Sequence, residues 1–140
     1  MAIRWCGADA VEIVAIDHRD RSEVAKATFG NDLVVLEEGG FVGPNAASSL
    51  SLERVRERFE MAAHYEGVPF VGVSPDQWRM VLRMPARPRR LAVDAARQLC
   101  DLLGRPGTRP RVAMASRCTN DDKRAALLIG WASVRAWGWA

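Results

Sequence analysis

Cysteine is scarce in this chain, and the three present, Cys6, Cys100 and Cys118, are odd in number and never fall in a C-x-x-C pair. That argues against both a disulfide framework and a structural zinc site, leaving a reducing, cytoplasmic setting as the expectation. No segment holds eighteen uninterrupted apolar residues, and the opening Met1-Ala2-Ile3-Arg4-Trp5-Cys6-Gly7 lacks a long apolar region. A soluble, unexported protein with no membrane partner is therefore expected. Neither a G-x-G-x-x-G nor a Walker loop is present, which argues against nucleotide binding, and Ser48, Ser49 and Ser51 form no G-x-S-x-G elbow for a serine hydrolase. Internal repeats and low-complexity blocks are also missing.

What is there suits one compact domain spanning 1–140: 140 residues, 49% of them apolar, with a net charge of +3. Among the 20 basic residues only Lys26 and Lys123 are lysine. Arginine's planar fork suits phosphate and carboxylate, although an Arg- and Ala-rich chain equally reports a GC-rich genome. Two basic loops are expected, Pro85-Ala86-Arg87-Pro88-Arg89-Arg90 and the stretch from Arg105 to Arg111.

Strands and helices alternate. Ala2 to Ala8, Val11 to Ile16, Leu33 to Leu36 and Val68 to Val73 read as strands. Ser22 to Thr28 reads as a short helix capped by Ser22. A long helix from about Ser49 to Glu66 carries Leu52, Val55, Phe59 and Ala62 or Ala63 on one side and Arg54, Glu57, Arg58 and Glu60 on the other, and Gly67 stops it. Ser74-Pro75-Asp76-Gln77 is a helix start with Ser as cap and Pro in first place. Leu91 to Leu103 reads as a helix ended by Gly104, and a last helix runs from about Asp121 to Trp137 with Leu128 and Trp131 inward. Such an order implies an α/β domain with a partly parallel sheet.

Acids mark the ends of these elements. Leu33-Val34-Val35-Leu36-Glu37-Glu38-Gly39-Gly40 drives an apolar strand into two carboxylates and then glycines, where a metal or catalytic base is worth seeking. The bland reading is a strand running into a solvated turn. Asp17 ends the strand from Val11, with Asp9 its rival. Asp121 and Asp122 open the last helix, where two acids otherwise simply complement the helix dipole. If the strands bearing Asp17 and Glu37 are parallel neighbours, both carboxylates leave the same sheet edge, and Asp122 could close the group. Such a set would hold hard divalent ions, Mg²⁺ or Mn²⁺, and two metals could hydrolyse a phosphodiester. His64 reads as a surface residue, His18 as a solvated loop residue, and Trp131, Trp137 and Trp139 as core or interface residues.

The order of these features, over roughly 32–137, resembles the RuvC-like Holliday junction resolvases of the ribonuclease H superfamily. The likeness rests on the strand into Glu37, the helix after Asn45, the segment Gly67-Val68-Pro69-Phe70-Val71-Gly72-Val73-Ser74-Pro75-Asp76-Gln77-Trp78-Arg79, and the acidic start Asp121-Asp122-Lys123-Arg124-Ala125-Ala126-Leu127-Leu128. Two departures stand out. The family's last acid would fall at Ala125, and only 19 residues separate Asp17 from Glu37, too few for the family's opening strands and helix.

The resemblance implies a ribonuclease H-like mixed sheet flanked by helices, abbreviated at the N-terminus. It further implies a Mg²⁺- or Mn²⁺-dependent endonuclease on branched DNA, with Asp17, Glu37, Asp121 and Asp122 catalytic and Asp17, Glu37 and Asp122 as metal ligands. Arg79, Arg83, Arg87, Arg89, Arg90 and Lys123 would grip the phosphates of branched or duplex DNA. Two symmetric cuts imply a homodimer, and a phage origin stays open. The alternatives are a non-catalytic DNA-binding or assembly protein that keeps the fold, and an unrelated α/β interaction domain.

Overall fold

The computed structural model describes residues 2–5, 11–14, 19–38, 46–85, 87–108 and 112–136. The chain divides into two compact units, one formed by Met1 and Ala15–Pro75, the other by Ala2–Val14 and Asp76–Ala140.

The first unit has the order helix, strand, helix, strand: α1 (Arg21–Thr28), β1 (Val34–Glu37), α2 (Ala46–Glu66) and β2 (Phe70–Val73). Asp20, not Ser22, caps α1. Its Oδ1 accepts from the backbone N–H of Ser22 at 2.8 Å and of Glu23 at 3.4 Å. Both residues can cap a helix, but Asp20 stands one residue before the first helical turn, so Ser22 falls at the second helical position and donates instead. Strands β1 and β2 pair in parallel with Val34 opposite Phe70 and Glu37 opposite Val73. The crossover between them is α2, as a parallel pair requires. The partner of β1 among the described residues is β2, and Asp17 and Asp9, considered for a neighbouring strand, lie outside the described residues.

Helix α2 begins three residues earlier than its apolar spacing suggests, because Ala46 and Ala47 extend a helix without adding to a stripe. It ends as expected at Gly67, whose φ of 68° places it in the left-handed region. Gly67 N–H donates to the His64 carbonyl at 3.2 Å and Val68 N–H to the Ala63 carbonyl at 2.8 Å. That is the Schellman closure, and both Ala63 and Val68 are buried. Helix α1 packs on α2, burying Val24 and Thr28, and the Thr28 hydroxyl is satisfied by the Val24 carbonyl at 2.8 Å.

In the second unit an antiparallel pair, β3 (Ala2–Trp5) and β4 (Val11–Val14), runs with Ala2 opposite Val14. Helices α3 (Pro75–Val81), α4 (Arg89–Gly104) and α5 (Asp121–Ala136) follow, with a short 3₁₀ turn over Ala113–Arg117. The apolar side of α4 packs on that turn and on α5, and β3 also contacts α5. Leu127, Leu128, Ile129, Trp131, Ala132 and Val134 are all buried, so α5 is the central helix of this unit.

Two boundaries of α4 differ from the sequence reading. The helix starts at Arg89, which takes Arg89 and Arg90 out of the basic loop and into its first turn. Gly104 lies within the last turn and does not stop it; Arg105 does, in an extended conformation. A Cβ at Gly104 would stand 2.9 Å from the Ser116 amide, so the glycine serves the close approach of the 3₁₀ turn. Among the described residues no helix is long and apolar enough to cross a membrane.

Candidate functional site

Glu37 is the last residue of β1, one place inside the strand and not just beyond it as the apolar run suggested. Backbone pairing continues past it, since the Glu38 N–H donates to the Val73 carbonyl at 2.7 Å. Glu37 is exposed at the carboxyl end of a parallel pair, the edge at which open α/β sheets bind ligands. Because side chains alternate along a strand, Glu37 shares a face with Val35, and Glu38 shares the other with Leu36. Glu38 is committed to that other face: its Oε1 lies 3.0 Å from Nη2 of Arg56 on α2. Arg56 in turn reaches Glu53 at 3.8 Å and Glu60 at 3.9 Å along its own helix.

The acids of the second unit divide in the same way. Asn120 caps α5, its Oδ1 accepting from the Lys123 N–H at 2.8 Å. Asp121 then accepts from Arg124 Nη1 at 3.1 Å and from Arg97 Nε on α4 at 3.4 Å. Asp122 is exposed and has no ion-pair partner among the described residues. Of the two, Asp122 keeps the carboxylate that a cation could claim; Asp121 would have to leave two guanidinium groups. Within either unit, no group of three or more His, Cys, Asp or Glu side chains among the described residues is placed to hold a metal ion. Glu37 and Asp122 are nonetheless hard oxygen donors of the kind Mg²⁺ and Mn²⁺ prefer.

The basic residues are not equivalent. Arg83, Arg87, Arg89 and Arg90 are exposed, and Lys123 is half-buried. Arg79 is half-buried too, with its guanidinium carbon 5.2 Å from the centroid of the buried Trp78 ring. Its Nε is buried and has no hydrogen-bond partner among the described residues. Arg89 and Arg90 occupy the first turn of α4, and Pro88 before them offers no side-chain cap. Two positive charges against the positive end of a helix cost about 0.3–1 kcal/mol each when nothing negative lies nearby. Arg83 has φ 55°, the one positive φ outside glycine among the described residues.

Comparison with solved structures finds a similar fold. Thermus thermophilus RuvC in complex with a Holliday junction substrate is similar over 91% of this chain and 79% of its own, at 17% identity and a TM-score of 0.51. A second Thermus thermophilus RuvC structure is similar over 99% of this chain and 87% of its own, at 18% identity and a TM-score of 0.53. The likeness is one of fold. No family model matches the sequence, and no curated protein matches it. The mixed helix-and-strand architecture expected from the element order is thereby supported, with a parallel sheet that has two strands among the described residues.

Several features of the site were not anticipated. The Glu38–Arg56 pair and the opposition of Arg97 to Asp121 join residues far apart in sequence, which spacing along one element cannot reveal. The pairing of Asp121 with Arg124 was readable as an i, i+3 contact. Trp131 is buried in the core and His64 is exposed, as expected, while His18, Trp137 and Trp139 lie outside the described residues.

Burial holds the Cys100 and Cys118 thiols above their ordinary range, with Cys100 pushed up to about 12 by desolvation first and by Cys118 second.

Proposed function

We propose that this chain is a metal-dependent endonuclease of branched DNA, with both units belonging to one ribonuclease H-like domain. The observation that carries the reading is Glu37 at the carboxyl edge of a parallel strand pair, in a fold shared with a RuvC solved on a Holliday junction substrate. Glu37 and Asp122 are the proposed ligands of Mg²⁺ or Mn²⁺, with Asp17 as the third and Asp121, held by Arg97 and Arg124, as a supporting catalytic acid. When bound, the ions would supply a water nucleophile at neutral pH and stabilise the leaving oxygen.

The chain's own residues would bind and orient the DNA. Arg83, Arg87, Arg89 and Arg90 are exposed, and the uncapped, arginine-bearing start of α4 gains most from an anion close by. A phosphate there would meet backbone N–H groups and two guanidinium groups together. Arg79 and Lys123, both half-buried, would contribute at the margin. Two symmetric cuts in a four-way junction make a homodimer the proposed active species.

A second reading, a DNA-binding or assembly protein without nuclease activity, is favoured by Ala125, which stands where the family's last acid would fall. One experiment addresses both. Glu37→Gln keeps the side chain's shape and removes its charge, so it should abolish Mg²⁺-dependent cleavage of a synthetic four-way junction while leaving binding within about twofold, since phosphate contacts are untouched. Full activity in the variant would remove Glu37 from the site. Binding without cleavage by the parent chain at any Mg²⁺ or Mn²⁺ concentration would select the second reading.

A further inference from the structure

Two chemically identical residues, Glu37 and Glu38, compete for one role at the end of β1. A shift of a single residue would exchange the faces they occupy. Something must decide which carboxylate goes where, and the first unit contains a device that does so.

In the parallel register Gly72 of β2 lies opposite Leu36, on the face that Glu38 shares. The Glu38 side chain lies across Gly72 so closely that a Cβ there would overlap its Oε1, Cδ and Cγ. From that position Oε1 reaches Arg56 Nη2 at 3.0 Å. Arg56 is fixed to α2 by Glu53 and Glu60, and its Nε is buried with no hydrogen-bond partner among the described residues. The countercharge and the empty space are therefore both on one face.

We infer that Glu38, Arg56 and Gly72 form a clasp that positions Glu37, making Glu38 a positioning residue and not a second metal ligand. The inference rests on the proposed role of Glu37. Physically, the clasp ties the strand end to α2 through a side chain, while the Glu38 N–H ties it to β2 through the Val73 carbonyl at 2.7 Å. With Glu38 held on one face, strand alternation directs Glu37 to the other. Leaving Glu38 unclasped would let the strand end turn and would place a second carboxylate in competition for the same cation.

Gly72→Ala is the decisive variant. The atoms its methyl group would displace are the outer part of a flexible side chain, so the fold is retained while Glu38 is evicted. The chain is compared with Gly72→Ala, Glu38→Ala and the double variant by melting temperature, by hydrogen exchange at the residue 38 amide, and by the Mg²⁺ concentration for half-maximal junction cleavage.

Residues that orient a metal ligand typically cost about 10–100-fold in metal affinity when lost. Gly72→Ala should thus raise the Mg²⁺ requirement roughly 10-fold with kcat at saturating Mg²⁺ nearly unchanged, and it should speed exchange at residue 38. Added to Glu38→Ala it should do nothing further, because the atoms it displaces are gone. An unchanged Mg²⁺ requirement and unchanged exchange overturn the clasp, as does an equal effect of Gly72→Ala with and without Glu38. If the parent chain cleaves no junction, the catalytic reading of Glu37 fails separately. Exchange at residue 38 then decides the clasp alone, supporting it only where Gly72→Ala accelerates exchange in the parent and not in Glu38→Ala.

Discussion

Replacing Arg83 by glycine should make the protein more stable and a poorer DNA binder at once. Arg83 follows α3 in the place usually taken by glycine: its N–H donates to the Met80 carbonyl at 3.0 Å, and the Met84 N–H donates to the Arg79 carbonyl at 2.8 Å. With φ at 55°, its Cβ crowds the following carbonyl, a strain of about 1–2 kcal/mol for a residue other than glycine. Glycine removes that strain but gives back roughly 0.5–1 kcal/mol in unfolded-chain entropy. The net gain is about 0.5–1 kcal/mol. With a urea m-value of about 2 kcal/mol/M, the unfolding midpoint should rise by about 0.3–0.5 M. Such a cost persists only where the surrounding structure over-determines it, and Arg83 is exposed, as are Arg87, Arg89 and Arg90. Losing one phosphate contact should reduce the slope of log affinity against log salt by about 0.9, read by fluorescence anisotropy on a four-way junction and a duplex. A lower urea midpoint would show that the arginine side chain stabilises the turn by more than the strain it carries. A higher midpoint with an unchanged salt slope would remove Arg83 from the DNA surface.

Other outcomes follow from the same structure. Asp122→Asn should lower junction cleavage by about 100-fold, the loss of roughly 3 kcal/mol of metal-borne stabilisation. Asp121→Asn, which gives up two exposed pairs worth at most about 1 kcal/mol each, should change cleavage only a few-fold, and the reverse ranking would exchange their roles. Arg87, Arg89 and Arg90 changed together to Ala should weaken duplex and junction binding alike and make the salt slope shallower by up to about 3, with an unchanged slope removing that segment from the interface. The Cys100 thiol titrates near 12 in the folded chain, against an ordinary value of 9.0. The folded state thus holds a proton that the unfolded state releases, and stability should fall as pH rises from about 9 to 12, by at most about 1.4 kcal/mol per unit from this group. Cys100→Ala should flatten that part of the curve in urea titrations at fixed pH, and an identical slope would assign the loss elsewhere.

Periodicity made the helices legible. Val55, Phe59 and Ala63 on α2, and Leu128 and Trp131 on α5, repeat at helical spacing and lie on the less exposed sides of their helices. Local punctuation was legible too where one residue can do only one thing, as at Gly67. It failed where two residues compete for one task, as Asp20 and Ser22 do at the start of α1. The 3₁₀ turn over Ala113–Arg117 left no signal, being too short to show a period. At the candidate site the acids were legible as doublets, and so was the local partner Arg124, but the distant partners were not. Arg97 meets Asp121 across 24 positions of sequence, and no pattern within either helix encodes that meeting.

The doublets show why an acidic pair in sequence is not a pair of ligands in space. Successive strand residues point to opposite faces, and successive helix residues point about 100° apart. Glu37-Glu38 and Asp121-Asp122 can therefore each direct only one carboxylate toward a given point without distorting the backbone. Under the proposed metal-binding role of Glu37 and Asp122, the other carboxylate of each doublet has to be neutralised where it stands, because a second negative charge a few ångström away would compete for the same cation. Arginine is suited to that task, since its fork stays charged at every accessible pH and holds a carboxylate in a fixed direction. Arg56 does this for Glu38, and Arg97 with Arg124 for Asp121. An arginine-rich composition thus has a use that the fold itself shows, the neutralising of the chain's own surplus acids.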